Sequence, residues 1–176
     1  YETTTSHSIT VSVTDGEKSV DATITITVEN VIESMAEDPA SFVTTWETEV
    51  DGEEIVIGSD FASSFNFTID WGDGTEEKIV KDAPLGFEHV YEKAGTYTVA
   101  IAADTFLGET FPTINFGFTG TAEKLKSIDQ WGYIQWQTLS NAFYECVNMV
   151  YNAKDAPDLS IVTDMTQMFY GATSFD

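Results

Sequence analysis

Phe67-Thr68-Ile69-Asp70-Trp71-Gly72-Asp73-Gly74-Thr75 alternates apolar and polar side chains and then breaks at a pair of glycines. Phe67, Ile69 and Trp71 fall on one face and Thr68 and Asp70 on the other, which is the period of a half-buried strand. Gly72-Asp73-Gly74 ends that strand in a tight turn, because glycine reaches positive φ without steric cost and Asp tolerates the left-handed region. Working outward, Phe42–Trp46 reads as an entry strand, Asp51-Gly52 as a turn and Ile55–Ile57 as a second strand. Ile79-Val80, Tyr97–Ala102 and Phe111–Phe118 supply further strands, the last ended by Gly117 and Gly120. Short strands at this spacing predict a β-sandwich with Trp46 and Trp71 in or beside its core. Asp70 and Asp73 have two readings, cation ligands or strand-end acids that bond their own turn.

The Trp71-Gly72-Asp73-Gly74 turn is followed by Phe87-Glu88-His89-Val90-Tyr91-Glu92-Lys93-Ala94-Gly95-Thr96-Tyr97-Thr98-Val99. Together these motifs resemble the polycystic-kidney-disease (PKD) type of Ig-like β-sandwich, whose signature pairs Trp-Gly-Asp-Gly with His-x-Tyr and Gly-Thr-Tyr-x-Val. The resemblance covers residues 40 to 116 and implies a domain over 35–120 that serves as a spacer or binding unit. His89 is then expected to make a structural hydrogen bond.

Before it, residues 8–14 and 21–28 alternate as two strands joined by Asp15-Gly16-Glu17-Lys18, a hairpin rich in β-branched residues. A lone hairpin is marginal in water, so it reads as the last strands of a larger sandwich. Val13-Thr14-Asp15-Gly16 and Ala22–Val31 resemble the end of bacterial cadherin-like domains, giving an incomplete domain over 1–34. That resemblance implies Ca²⁺ at the junction, held by Asp15, Asn30 and Glu33, although Ile32 departs from the family's linker. An Asp serving only its own turn is the alternative.

From Lys124 the text repeats with an offset of 26 residues: Asp129 with Asp155, Leu139 with Met165, Phe143 with Phe169, Tyr144 with Tyr170, Cys146 with Ala172. Leu139, Ala142, Phe143 and Cys146 follow i, i+3, i+4, i+7, as do Met165, Met168, Phe169 and Ala172, which predicts about two turns of amphipathic helix per unit. A period in the twenties with a helix and a strand is a solenoid pattern. Asp158-Leu159-Ser160-Ile161-Val162-Thr163-Asp164-Met165-Thr166-Gln167-Met168-Phe169 resembles the BspA-like leucine-rich repeats of bacterial surface proteins. It implies incomplete repeats over 121–176, with further units after Asp176. The whole is mostly β, an Ig-like sandwich preceded by a hairpin and followed by the start of an α/β solenoid. In that register Phe143 and Phe169 form a buried ladder. Tyr144 and Tyr170, about 100° further round, lie at the rim, either contacting a partner or covering the neighbouring unit.

Thirty acids face seven bases, all lysine, for a net charge of −23. Nothing here neutralises a row of phosphates, so nucleic acid is excluded as a partner, and anionic membranes are disfavoured. The single cysteine, Cys146, excludes an internal disulfide, and its repeat position reads as a buried ladder residue. Only His7 and His89 are histidines, so no Ser/His/Asp or histidine–metal cluster assembles and no catalytic residue is assigned. The expectation is a non-enzymatic stalk and adhesion segment of a large bacterial cell-surface or secreted protein. Its partner would be a surface protein, a glycan or further copies of the chain. The alternative is an accessory module of a secreted polysaccharide- or protein-degrading enzyme. The chain reads as part of something longer.

Overall fold

The computed structural model describes residues 6–27, 34–59, 64–82, 86–103, 113–117 and 119–175. The chain separates into two compact units, Tyr1–Glu33 and Ser34–Asp176.

In the first unit β1 (Ser6–Thr14) and β2 (Ser19–Thr27) pair antiparallel, with Ile9 opposite Ile24, Val11 opposite Ala22 and Val13 opposite Val20. Residues directly opposite share a face, so these three pairs put an apolar stripe on one side of the hairpin. Those side chains are exposed.

The second unit is mostly β. It contains β3 (Phe42–Thr48), β4 (Glu53–Gly58), β5 (Ser64–Asp70), β6 (Glu76–Asp82), β7 (Gly86–Tyr91), β8 (Gly95–Ala103), β9 (Leu125–Gln130) and the short β10 (Val150–Tyr151). They form a six-stranded sheet in the order β10-β9-β3-β8-β5-β6 and a two-stranded sheet of β4 and β7. Alternation explains the layering. Trp46, Phe67, Ile69, Val99 and Ile101 from the large sheet meet Ile55, Ile57, Phe87 and Tyr91 from the small one in a single buried core. Phe67 meets Phe87 edge to face at 4.9 Å. The arrangement is β-sandwich-like. The buried Trp46 indole N–H donates to Thr44 Oγ1 at 2.9 Å, avoiding the roughly 1–3 kcal/mol cost of an unpaired buried donor.

The predicted strand over Phe111–Phe118 does not form in its described part, 113–117. Successive groups there serve different neighbours: Asn115 N–H donates to Gly58 O at 2.9 Å, and Phe116 N–H to Ala142 O at 3.3 Å. A Cβ on Gly58 would lie 1.8 Å from Asn115 O, so the crossing requires that glycine. Phe116 lies against Trp46 at 5.3 Å and Phe143 at 5.9 Å. β9 is hydrogen-bonded to β3, and both strands lie in the compact unit Ser34–Asp176.

Residues 125–149 and 150–175 are two successive coils lying side by side. Val150 and Tyr151 pair parallel with Ser127 and Ile128, and Gln135 bridges Asp158. The N–H groups of Leu139, Asn141, Phe143 and Glu145 donate to the carbonyls of Asp164, Thr166, Met168 and Tyr170 at 2.7–3.0 Å. Ala142, Tyr144 and Cys146 instead close four-residue turns, their N–H groups donating to the carbonyls of Leu139, Asn141 and Phe143.

This corrects the amphipathic-helix expectation. Asn141 (φ 54°) and Glu145 (φ 57°) are left-handed, as are Gln167 (φ 55°) and Gly171 (φ 75°) one unit later. A left-handed residue cannot continue an α-helix. Tandem turns reset by such residues keep the three- and four-residue spacing, so Leu139, Ala142, Phe143 and Cys146 are all fully buried. In the second coil Met168 is buried, Phe169 and Ala172 are partly buried and Met165 is exposed. Among the described residues no α-helix occurs, and none is long and apolar enough to cross a membrane.

Candidate recognition face

The coil register sets the aromatic ladder. Phe143 and Phe169 stack with centroids 5.4 Å apart and planes 8° apart. Tyr144 and Tyr170 stack beside them at 5.0 Å and 18°. Phe143 is fully buried, Tyr144 half-buried, and Tyr170 is 57% exposed. The tyrosine pair is therefore a rim. Sequence reasoning missed its support, Gly117: a Cβ there would come within 3.1 Å of Tyr144 Cβ and Cγ, so the root of the Tyr144 side chain packs against bare backbone. A glycine between Phe116 and Phe118 was the available signal.

Partial desolvation, then the neighbouring Glu145 carboxylate and Tyr170, push the Tyr144 hydroxyl above its ordinary range. It remains a neutral phenol near neutral pH, able to donate and accept hydrogen bonds. Burial pushes the Cys146 thiol up to about 12. It holds no thiolate at neutral pH and is inert as a nucleophile.

The turn motif is a structural cluster. Asp70 Oδ1 accepts from Gly72 N–H at 2.9 Å, and Asp73 Oδ1 accepts from Thr75 N–H and Oγ1 at 3.0 and 2.6 Å. Asp73 Oδ2 is 2.8 Å from His89 Nε2, whose ring stacks on Trp71 at 4.9 Å and 10°. Tyr91 OH donates to Trp71 O at 2.8 Å. Both acids serve their own turn, as the non-ligand reading had it. Burial pushes the Asp73 carboxyl up, but the Thr75 hydroxyl and His89 outweigh it and hold the group below its usual value.

Of the expected calcium residues, Asn30 and Glu33 lie outside the described residues. Asp15 Oδ1 accepts from Glu17 and Lys18 N–H at 2.9 and 2.8 Å, and these bonds hold its carboxyl below the usual range. Among the described residues no three Asp, Glu, His or Cys side chains converge as metal ligands. Asp15 alone falls far short of the six to eight oxygens that Ca²⁺ takes.

Comparison of the chain with protein-family models, with curated proteins and with solved structures gives no match.

Proposed function

We propose that the chain is a non-catalytic stalk and recognition segment of a large bacterial cell-surface or secreted protein. In this reading residues 35–120 are a PKD-like sandwich, and the coils after it begin a BspA-like leucine-rich-repeat solenoid. The hairpin ends a cadherin-like domain. The observation that carries it is the paired register of Phe143 on Phe169 and Tyr144 on Tyr170. A unit that repeats its buried ring also repeats its rim ring, and such a row grows into an extended recognition surface as units are added. Rigid aromatics give large contact area at low entropic cost, which suits a surface protein, a glycan or another copy of the chain. The net charge of −23 keeps such a segment soluble and away from phosphate-rich surfaces.

The test is binding of the fluorescently labelled chain to arrayed glycans, arrayed extracellular-matrix proteins and its own immobilised copies. Saturable binding that falls in the Tyr144→Ala/Tyr170→Ala double variant supports the reading. Binding unaffected by the double variant, no binding to any of the three, or turnover of an arrayed glycan or protein contradicts it. Ca²⁺ at Asp15, Asn30 and Glu33 belongs to the same reading. Calorimetry should register heat on adding Ca²⁺ to the chelator-treated chain and lose it in Asp15→Ala; no heat in the parent chain removes calcium from the proposal.

A further inference from the structure

A cleft of about 210 Å³ opens where the chain entering β3 meets the end of β9, lined by Pro39, Asp129, Gln130, Tyr133, Lys154 and Asp155. Its walls are rigidly held. Gln130 Nε2 donates to Asp38 O and Ser41 O at 2.7 and 2.8 Å, which uses both its N–H bonds and leaves its carbonyl as an acceptor. Asp155 is clamped by backbone: its oxygens accept from Trp131 N–H at 3.0 Å and from Gly132 N–H at 2.8 Å. Gly132 sits at φ +67°, and a Cβ there would lie 2.3 Å from Ala40 O. Tyr133 follows in that turn, tied by its N–H to Ala40 O at 3.0 Å, with its side chain 68% exposed. Among the described residues Lys154 has no ion-pair or hydrogen-bond partner, whereas Lys93, Lys124 and Lys126 are each paired with an acid.

Elimination by charge narrows the ligand. An anion must approach a chain of net charge −23 with one lysine to receive it. A cation meets Lys154, and Asp129 has little left to offer. Its two oxygens already accept from three donors, Thr45 Oγ1, a Ser127 Oγ shared between them and Asn152 Nδ2, at 2.7–3.0 Å, which leaves about one of the roughly four lone-pair sites of a carboxylate. What remains open is mixed, in a lining of two carboxylates and one ammonium: the Gln130 carbonyl, the outer side of Asp155, three donors on Lys154, and the face and hydroxyl of Tyr133. Fixed acceptors and a donor beside an exposed aromatic face match a ring carrying hydroxyls on its edge and C–H bonds on its face. The volume is below the roughly 300–1,000 Å³ of a cleft for a drug-sized ligand, and suits one such ring.

We propose that this cleft is a binding subsite for a neutral hexopyranose unit of a glycan, stacked on Tyr133 and hydrogen-bonded to Lys154, Asp155 and Gln130. It uses residues other than the Tyr144–Tyr170 ladder and stands whether or not that ladder binds a partner. The experiment titrates the ¹⁵N-labelled chain with the methyl glycosides of glucose, galactose, mannose and N-acetylglucosamine. At least one should move the amide resonances of Trp131, Gly132, Tyr133 and Asp155 in a saturable way. Tyr133→Ala and Lys154→Ala, both exposed positions, should each weaken binding about tenfold or more, the equivalent of about 1.4 kcal/mol. Tyr144→Ala/Tyr170→Ala should leave it unchanged. Absence of shifts at these amides with all four glycosides overturns the proposal. So do shifts that survive both single variants, and so does movement of these amides by Nα-acetyl-lysine amide or inorganic phosphate in place of the sugars.

Discussion

Replacing Phe143 by Ala removes the ring on which the two coils and the sandwich converge. Phe143 is fully buried and lies 5.4 Å from Phe169, 5.8 Å from Trp131 and 5.9 Å from Phe116. Truncating a buried Phe costs about 3–5 kcal/mol, and each good aromatic pair contributes about 0.5–1.5 kcal/mol beyond its buried area. With three partners, Phe143→Ala belongs in the upper half of that range, about 4–5 kcal/mol. Phe169 is only partly buried, so Phe169→Ala should cost less, about 2–3 kcal/mol. At roughly 2–4 °C per kcal/mol for a chain of this size, the Phe143 variant should melt about 8–20 °C lower. Urea unfolding followed by tryptophan fluorescence is the assay, because Trp46, Trp71, Trp131 and Trp136 all belong to the Ser34–Asp176 unit. A loss below about 1 kcal/mol for Phe143→Ala, or a larger loss for Phe169→Ala, would refute the shared core.

Three further outcomes are expected. Glu145→Gly should stabilise by up to about 1 kcal/mol, since Glu145 is left-handed at φ 57° where the next coil has Gly171; in a helix the same change would destabilise by about 1 kcal/mol, so its sign in urea unfolding separates the two backbones. Gly74→Ala, at φ +91° in open space, should cost about 1–2 kcal/mol. Gly72→Ala should cost clearly more by the same assay, because its Cβ would lie 2.3 Å from Thr98 O; equal losses would count against the close approach. Asp73 has a depressed pKa in the folded chain, so its contribution is present above the unfolded value of about 4 and is lost as pH falls through the folded value. The stability gap between the parent chain and Asp73→Asn should therefore narrow below about pH 4, and a gap constant with pH would oppose this.

The sandwich was legible because its strands carry strict alternation, and Phe67, Ile69 and Trp71 are all buried where that alternation puts them. The ladder residues were legible for a related reason: a 26-residue repeat fixes which positions stack, whatever the backbone does between them. The backbone itself was not legible. Leu139, Ala142, Phe143 and Cys146 have helical spacing, but tandem turns reset by left-handed residues produce the same spacing, and φ leaves little trace when the residue is Glu145 or Gln167. The mismatch of Glu145 with Gly171 was the available hint. The 113–117 crossing failed as a strand because its N–H groups are divided between Gly58 and Ala142, partners far apart in sequence. The cleft gathers residues from three separate segments, around 39, 129–133 and 154–155, and no local pattern joins them.

Everything built on the repeats rests on the alternating ladder between the coils, and amide hydrogen exchange read residue by residue tests it most directly. In the first coil Leu139, Asn141, Phe143 and Glu145 donate to the second, while in the second coil Met168, Tyr170 and Ala172 close local turns. Among the described residues the N–H groups of Met165, Gln167, Phe169 and Gly171 have no acceptor. In this 176-residue chain the account predicts protection at 139, 141, 143 and 145. It also predicts an alternation in the second coil, with 168, 170 and 172 slower to exchange than 167, 169 and 171. Uniform protection running from 169 through 172, as one helix would give, would contradict it.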